Sequence, residues 1–280
     1  MSDSREKIGL IAGGGQFPLL IAEAAKKQGM RVIAVAHQGE TETSLSEKVD
    51  DIIWVKLGQL GRLIQGFKRR GVTKTLMAGT ITKKRMFENV RPDFRSIQIM
   101  TRLAVFHDDD ILSAVAAELA GEGIDIVSST IYLPGLLAPQ GCLTRKKPSK
   151  RQKEDIRFGW RVAKELGRLD IGQCVVVRRR TILALEAIEG TDETIRRGGT
   201  LAREKAVVVK VSKPHQDLRF DVPSVGPETI RVMSEVKASL LAVEAGKTLL
   251  FDKGEMIALA NETGMTIVSL QGEPEEILKK

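Results

Sequence analysis

Short apolar runs alternate with amphipathic stretches through the first half of the chain. Five runs have the length of buried strands: Lys7–Ala12, Arg31–Ala36, Ile52–Lys56, Thr75–Met77 and Ile124–Ser128. Three stretches between them have helical spacing: Leu19–Gln28, Gln59–Arg70 and Ile111–Ala120. Because strands separated by helices build a parallel sheet, the pattern predicts a β-α-β unit that continues as an α/β domain.

The second half begins its strands differently, with two β-branched runs that are neighbours in sequence. Cys174–Val177 and Thr181–Leu185 flank an arginine corner, which predicts a hairpin or a tight strand pair. Three more apolar runs follow: Ala206–Val211 and the predicted strands Thr248–Phe251 and Thr266–Leu270. Three stretches are predicted to be helices: Gln152–Leu166, Pro227–Leu241 and Lys253–Glu262. The second half is therefore also predicted to be α/β.

Proline and glycine are dense in the segment from Leu133 to Gly141. Such a composition is typical of a connection between domains. We therefore predict a Rossmann-like α/β domain at residues 1–133, a linker at 134–150 and a C-terminal α/β domain at 151–280. The predicted fold class is two α/β domains joined by a linker, with the ligand site in the cleft between them.

The composition narrows the class of protein. The 280 residues are 42% hydrophobic, enough for a substantial core, yet no apolar run approaches the roughly 20 residues of a membrane span. Cys142 and Cys174 are isolated, so we expect a reduced cytosolic compartment rather than a disulfide framework. The polar residues 1–7 do not resemble a signal peptide. A formal net charge of +8 suits an anionic ligand, an anionic membrane or nucleic acid without choosing among them.

A glycine loop, Gly13-Gly14-Gly15, joins the first predicted strand to the first predicted helix. Free amides at such a helix start favour phosphate, which makes the loop a candidate anion or nucleotide cradle. The dinucleotide fingerprint is incomplete, because its third glycine position is Pro18 and no acidic residue directly ends the second strand. Gly79 and Thr80 follow another strand, at an edge where open α/β sheets bind ligands.

Carboxylates, a glycine and a hydroxyl crowd the end of the strand Thr181–Leu185, at Glu186, Glu189, Gly190, Thr191 and Asp192. Such a loop can hold a divalent cation or a polar ligand. The alternative is an acidic turn in which Thr191 or Asp192 caps the following helix. The sequence of this loop alone leaves both interpretations open.

Asp221 stands among the apolar residues Phe220, Val222 and Pro223, just before Ser224-Val225-Gly226. An aspartate in this position can hold Mg²⁺ or orient a water molecule, while amides at the next helix start receive a phosphate. The alternative is an ordinary aspartate in a turn before a helix.

Three charged stretches allow two readings each. The run His107-Asp108-Asp109-Asp110 is either a metal cluster or an acidic first turn of a helix. The basic runs Lys83–Phe87 and Arg145–Arg151 are either solvated or in contact with phosphate or lipid headgroups.

The sequence gives little support to a nucleophilic triad or a zinc hydrolase. It has three histidines, no GxSxG motif and no well-placed cysteine–histidine pair.

Four motifs together resemble one known family. They occur in order across nearly the whole chain, at Ile8–Gly15, Gly167–Gln173, Glu186–Asp192 and Asp221–Gly226. In these motifs the chain is similar to the UDP-2,3-diacylglucosamine pyrophosphatases of lipid A biosynthesis, in the form unrelated to calcineurin-like metallophosphoesterases. It departs from the family pattern at two positions, where His107 and Cys174 stand in place of glycine.

The resemblance implies a Mg²⁺-dependent hydrolase that splits UDP-2,3-diacylglucosamine into UMP and 2,3-diacylglucosamine 1-phosphate. It implies that the C-terminal domain is catalytic, that Asp221 is the essential aspartate, and that Asp221 and Asp192 bind the metal. It also implies a set of substrate-binding residues: Gly13, Gly14, Gly15, Gly79, Thr80, Gln173, Glu186, Glu189, Gly190, Thr191, Asp192, Ser224 and Gly226.

The expected partners follow from the same resemblance and from the basic charge. They are a lipid-linked UDP-sugar and the inner face of the cytoplasmic membrane, which a cytoplasmic protein would meet peripherally. No nucleic-acid partner is expected, and homodimerisation is left open. Two other functions stay open: a nucleotide-sugar or NAD-dependent oxidoreductase, and a non-catalytic protein that binds lipid or nucleic acid.

Overall fold

The chain folds into two compact units in a computed structural model that describes residues 5–81, 92–102, 108–219 and 221–272. The first unit comprises Met1–Pro134 together with Asp217–Asp221, and the second comprises Gly135–Gln216 and Val222–Lys280. The chain therefore passes between the units three times. Asp221, which the sequence places in the C-terminal domain, belongs to the first unit. The basic run Lys83–Phe87, His107 and Phe220 lie outside the described residues.

The first unit contains a five-stranded parallel sheet with the strand order β3-β2-β1-β4-β5. Its strands are β1 (Lys7–Ala12), β2 (Arg31–His37), β3 (Asp51–Val55), β4 (Lys74–Ala78) and β5 (Asp125–Ile126). Its helices are α1 (Phe17–Lys27), α2 (Leu60–Arg69), α3 (Phe94–Arg102) and α4 (Asp108–Gly121). The acidic residues Asp108 to Asp110 thus fall within the first turn of α4 as it is described. The Rossmann-like classification of this unit stays a prediction.

Helix α2 shows why the first unit packs as it does. Its apolar residues recur at helical spacing, at Leu60, Leu63, Ile64 and Phe67, and all four are buried. They pack in one cluster with alternate residues of the sheet, such as Ile33, Val35 and Val55. The periodicity that predicts the helix is therefore the pattern that fixes it to the sheet.

The second unit contains a mixed six-stranded sheet with the order β6-β13-β11-β9-β7-β8 and a two-stranded parallel pair, β10-β12. Its strands are β6 (Gly141–Cys142), β7 (Cys174–Arg178), β8 (Thr181–Leu185), β9 (Val207–Lys210), β10 (Ser224–Val225), β11 (Leu240–Glu244), β12 (Leu249–Leu250) and β13 (Thr266–Leu270). Its helices are α5 (Lys150–Arg168), α6 (Thr191–Ala202), α7 (Pro227–Glu235) and α8 (Lys253–Glu262). The predicted hairpin is present, because β7 and β8 pair antiparallel.

Valines fill both faces of the second sheet. Val175, Val177, Val207 and Val209 pack in one cluster with Trp160 and other residues of α5. The alternating Val176 and Val208 pack on the opposite face, with residues from α6, α7 and α8. A sheet covered on both faces needs apolar residues at every position, which explains the continuous valine runs in the sequence.

The predicted helix Pro227–Leu241 is wrong in its last part. Helix α7 ends at Glu235, and Leu240 begins β11, a fully buried strand that pairs with both β9 and β13. The helix ends because Lys237 adopts a positive φ of +54°. Glycine is the usual residue at such a helix end, so the lysine gives no signal of it in the sequence. A short apolar run such as Leu240–Glu244 fits the helical period as well as a buried strand.

Most of the predicted linker at 134–150 is folded against the second unit. The Ala138 amide donates to the Thr248 carbonyl at 2.8 Å, and β6 pairs antiparallel with β13. The Ile267 amide donates to Thr144 Oγ1 at 3.0 Å. Edge pairing therefore satisfies the backbone of a segment whose proline and glycine content suggested a free connection.

No helix among the described residues is long and apolar enough to cross a lipid bilayer.

The β7–β8 hairpin turns through Arg179 and Arg180, which both adopt positive φ, at +52° and +58°. A two-residue turn of this kind favours asparagine and glycine, and each other residue there costs about 1–2 kcal/mol. The buried carboxylate of Asp155, on α5, compensates by accepting both turn amides, at 3.1 and 2.6 Å. One side chain thus holds a strained turn in place.

Replacing the turn by Arg179→Asn with Arg180→Gly is expected to raise the free energy of unfolding by roughly 1–2 kcal/mol, because it removes the backbone strain. Asp155→Ala is expected to lower it by roughly 1–3 kcal/mol, because two buried amides lose their acceptor. Urea denaturation of the three proteins measures both changes. A double variant less stable than the parent would contradict the strain argument.

Candidate functional site

The glycine loop of the first unit is fastened to the end of β4. The Gly13 amide donates to the Ala78 carbonyl at 2.8 Å, and Gly14 and Thr80 exchange two backbone hydrogen bonds, at 2.7 and 3.1 Å. A Cβ on Gly13 would lie 2.6 Å from the Thr80 oxygen, and one on Gly79 would lie 2.5 Å from the Gly14 oxygen. Gly13, Gly14, Gly79 and Thr80 are therefore brought together, and their substrate-binding role stays a prediction.

These contacts also limit what the loop can bind. The amides of Gly13 and Gly14 are taken up by protein carbonyls, so they are not the free phosphate donors that the sequence suggests. Gly15 is exposed and has φ +84°, next to the start of α1. The parallel strands β1 and β4 are neighbours at the point where the order of strand addition across the sheet reverses, and open α/β sheets bind ligands outside such a point.

Glu186 is the hub of the acidic loop in the second unit. Its buried carboxylate accepts the Gln173 amide at 3.0 Å and the Thr191 hydroxyl at 2.7 Å. A Cβ on Gly172 would overlap the Glu186 carbonyl, so glycine is needed where the two chain segments meet. Glu186 therefore ties together the Gly167–Gln173 and Glu186–Asp192 motifs, and its two oxygens both have protein donors.

Glu189 is held in a second set of contacts. It accepts the Ala187 amide at 3.1 Å and pairs with Arg197. Hydrogen bonds from its own backbone amide and from Arg197 keep the pKa of Glu189 below its usual value. Its negative charge is thus already balanced within the loop.

The cap of α6 is Gly190, so Thr191 and Asp192 do not cap this helix, as one of the two interpretations of the loop required. Gly190 has φ +84°, and no side chain makes a cap hydrogen bond at this helix start. The Thr191 hydroxyl is committed to Glu186 instead. Asp192 is therefore left free of a capping role.

Asp192 is the carboxylate of the loop that the protein does not satisfy. It is half-buried and makes no hydrogen bond within the described part of the chain. Burial raises the pKa of Asp192, while the nearby Lys210 and Arg196 oppose the rise. A half-buried, unsatisfied carboxylate is a suitable cation ligand.

Lys210 is a site residue that the sequence analysis missed. It ends β9 and is only 8% exposed, and its Nζ donates to the Ser224 carbonyl at 2.8 Å. Lys210 thereby brings Ser224 and Asp192 into one polar cluster. The available signal was a lysine that directly follows three valines in a buried strand, where a charge needs a partner.

Gln173 and Cys174 enter this cluster from the start of β7. The Gln173 Oε1 atom is buried and finds no donor within the described residues. Such an atom costs free energy unless a ligand or water supplies a hydrogen bond. Burial strongly raises the pKa of the Cys174 thiol, which stays protonated and is not a nucleophile.

Asp221 belongs to the first unit, in the segment Asp217–Asp221, whereas the residues of the acidic loop belong to the second unit. Its amide donates to the Asp217 carbonyl at 3.1 Å, and the Ser129 amide binds the Arg219 carbonyl at 3.3 Å. Arg219 also forms an ion pair with Asp217, which lowers the pKa of that carboxyl. The segment is thus a braced turn that presents a half-buried Asp221.

Gly226 does not present a free amide, and Ser224 lies in a strand rather than at the helix start. Ser224–Val225 forms β10, which pairs with β12, and the Ser224 carbonyl is held by Lys210. Gly226 caps α7, and its amide donates to Thr229 Oγ1 at 3.4 Å. No group of three or more His, Cys, Asp or Glu side chains within 5–81, 92–102, 108–219 and 221–272 is arranged to share a metal ion.

Solved structures show only distant likeness to the chain. Precorrin-6A reductase CobK is 10% identical, covers 95% of this chain and 88% of its own, and gives a TM-score of 0.35. N5-carboxyaminoimidazole synthetase from Staphylococcus aureus is 14% identical over 63% of this chain and 39% of its own, with a TM-score of 0.28. These scores carry no argument about function.

Comparison of the sequence with known protein families identifies one family. The LpxI N-terminal domain family matches residues 7–136, and the LpxI C-terminal domain family matches residues 139–268. The protein named UDP-2,3-diacylglucosamine pyrophosphatase LpxI from Caulobacter vibrioides is 30% identical over 281 residues, covering 96% of this chain and 99% of its own length. The resemblance seen in the four sequence motifs is therefore confirmed, and the chain belongs to the LpxI family.

Proposed function

We propose that this enzyme hydrolyses the pyrophosphate bond of UDP-2,3-diacylglucosamine, releasing UMP and 2,3-diacylglucosamine 1-phosphate in lipid A biosynthesis. The activity for which the Caulobacter vibrioides relative is named supports the substrate, because that relative matches over nearly the whole chain. The observation that carries the chemistry is the unsatisfied Asp192 carboxylate beside the buried Lys210. A carboxylate for a cation and a lysine for anionic oxygen are what a diphosphate substrate requires.

The proposed reaction is attack of water on the sugar-side phosphorus. Phosphoanhydride hydrolysis depends mainly on positioning and on stabilising negative charge, and it needs no covalent nucleophile. The protonated, buried Cys174 agrees with such a direct attack. Asp221 would orient the water or bind the metal, and Lys210 would stabilise charge that develops on phosphate oxygens.

Other residues of the family motifs would bind and orient the substrate. The buried Gln173 Oε1 atom accepts no hydrogen bond from the described residues. A sugar hydroxyl or the amide of an N-linked acyl chain can donate one to it. Glu186 and Glu189 would hold the Gly190–Asp192 backbone in place through their protein contacts. Gly15 at the exposed end of the glycine loop, with Gly79 and Thr80 behind it, would border the diphosphate.

We propose Mg²⁺ as the cofactor, held by Asp192 and Asp221. The donor set fits, because Asp192 offers oxygen atoms that no described protein group occupies, and Mg²⁺ prefers carboxylate and phosphate oxygens. When bound, Mg²⁺ would neutralise charge on the diphosphate.

We also propose peripheral association of this cytoplasmic enzyme with the inner face of the cytoplasmic membrane. Three large apolar side chains, Phe94, Ile97 and Met100, lie exposed at three-residue spacing on α3. This spacing places them on one side of the helix, as in amphipathic helices that bind lipid surfaces. An enzyme with a lipid substrate would use such a surface to reach that substrate in the membrane.

The oxidoreductase alternative is less well supported by the same geometry. Its dinucleotide would need the amides of the glycine loop, and those of Gly13 and Gly14 already bind the carbonyls of Ala78 and Thr80.

Turnover is expected to depend on Mg²⁺ and on Asp221. Purified protein should release UMP from UDP-2,3-diacylglucosamine with Mg²⁺ and lose activity in EDTA. Asp221→Asn should lower kcat by at least about a hundredfold, because it removes a charge at the reacting groups. Asp125→Asn, at an exposed aspartate of the first unit, is the matched control and should retain most activity. A folded parent protein without turnover in Mg²⁺, Mn²⁺ or Ca²⁺ would refute the proposed reaction.

Lys210 is expected to contribute to the reaction through its charge. Lys210→Met keeps the apolar stem of the side chain and removes its charge, so kcat/KM for the same substrate should fall by roughly tenfold to a hundredfold. Lys205→Met, on an exposed lysine just before the same strand, should leave kcat/KM unchanged. Equal effects of the two substitutions would show that Lys210 has no special part in the reaction.

Binding to lipid vesicles tests the membrane proposal. The parent protein should sediment with vesicles that contain phosphatidylglycerol, and Phe94→Ser with Ile97→Ser should reduce the bound fraction severalfold, because less apolar surface can be buried. Leu201→Ser changes another exposed apolar residue and should have little effect. If the parent protein fails to bind these vesicles, the peripheral association is wrong.

A further inference from the structure

Strand β3 is the edge strand on one side of the first sheet. It pairs with β2 and with no other strand among the described residues. Four of its five residues are only half-buried, whereas the inner strands β1 and β2 are buried at nearly every position. Proteins commonly shield such an edge with a lysine, a proline or a bulge. β3 contains no lysine or proline, and its register with β2 is regular, so this edge is open to pairing.

A groove of about 450 Å³ runs along the open edge. Its lining includes Ile52, Ile53 and Trp54, three successive residues of β3. Because successive side chains of a strand point to opposite faces of the sheet, the groove reaches both faces of β3. It therefore passes along the side of β3 where a further strand would lie.

Helix α2 forms the other wall of this groove. Arg62, Gln65, Gly66 and Arg69 line the groove and recur at helical spacing, so they lie along one side of α2. A Cβ on Gly66 would lie 2.8 Å from the Ile53 Cδ1 atom, so glycine lets the helix approach the strand closely. An edge strand is the kind of site at which an extended peptide binds by adding as a strand.

The charge of the groove selects the kind of peptide. Arg62, Arg69 and Arg70 line it, and no aspartate or glutamate does. Arg70 forms an ion pair with Asp51, and its hydrogen bond lowers the pKa of that carboxyl. Arg62 and Arg69 are exposed and make no ion pair or side-chain hydrogen bond within the described part of the chain. Their guanidinium groups are thus available to the carboxylates of a partner.

The opposite face of β3 offers an apolar contact. Ile53 lies under α2, so Ile52 and Trp54 lie on the face away from this helix, and both are half-buried. A strand laid along β3 would direct every second side chain toward the arginines and the others toward Ile52 and Trp54. Alternating acidic and apolar residues fit these two faces.

We propose that the β3 edge is a docking site for an extended acidic segment of another protein, which adds to the first sheet as a further strand. Main-chain hydrogen bonds with β3 would provide the affinity, and Arg62 and Arg69 would select carboxylates at every second residue. None of these residues belongs to the proposed active site. The docking site would therefore join the enzyme to a partner without occupying the place of the substrate.

Binding of a designed peptide tests the site. The probe is a fluorescein-labelled peptide of seven residues that alternates glutamate with valine, and its anisotropy should rise saturably with the parent protein. A peptide with lysine in place of glutamate should not bind. Arg62→Glu with Arg69→Glu should raise Kd by at least about tenfold, because two attractions become repulsions. Lys26→Glu with Lys27→Glu, at exposed residues of α1, changes the net charge equally and should leave Kd unchanged.

A methylated peptide separates strand addition from simple attraction between charges. Methyl groups on its backbone nitrogens keep the glutamates and valines but block pairing with an edge strand, so binding should be lost. Equal binding of the methylated and unmethylated peptides would overturn the proposal, and so would equal binding to the parent protein and the arginine variant. The peptide test does not depend on turnover, so its outcome is separate from that of the proposed reaction.

A second copy of the chain is the competing occupant of the edge. Ile52→Lys places a charge on the strand that should block edge pairing, and sedimentation of the parent and variant proteins measures its effect on size. A parent protein that binds the acidic peptide and whose size Ile52→Lys does not change is the expected result. A dimer that Ile52→Lys dissociates and that does not bind the peptide would assign the edge to a second copy and overturn the proposal.

Discussion

The buried Glu186 carboxylate is the contact on which the second-unit site depends. One oxygen accepts the Gln173 amide and the other accepts the Thr191 hydroxyl, so the entrance of β7, the exit of β8 and the start of α6 meet at one side chain. A buried carboxylate is costly unless donors satisfy it, and the same donors fix the loop around it. Gln173, Gly190 and Asp192 take their places from this arrangement.

The first unit reaches a comparable result through backbone contacts. The Ala12 carbonyl receives the Thr41 hydroxyl and lies against His37, while the next two residues bind the end of β4. The end of β1 is thereby joined to the segments that follow both β2 and β4. Glycines are needed here because protein backbone approaches protein backbone too closely for a Cβ atom.

Periodicity in the sequence predicted the elements whose apolar residues fit only one secondary-structure period. Helix α8 and strand β13 have the predicted bounds, and the β7–β8 pair forms as expected. Strand β11 was missed because its short apolar run fits the helical period as well as that of a buried strand. Lys210 was missed because only the folded chain brings Ser224 and Asp192 beside it.

The carboxylates of the acidic loop differ in the hydrogen bonds and ion pairs that the protein makes with them. Glu186 and Glu189 receive protein donors, and Arg197 balances the charge of Glu189, so both are committed to holding the loop. Asp192 receives only the long-range attraction of Lys210 and Arg196, against a burial that disfavours its charge. A charged group kept half-buried without hydrogen bonds gains more from a cation than its satisfied neighbours do. Sequence shows three equivalent acids, and the hydrogen bonds alone single out the one suited to chemistry.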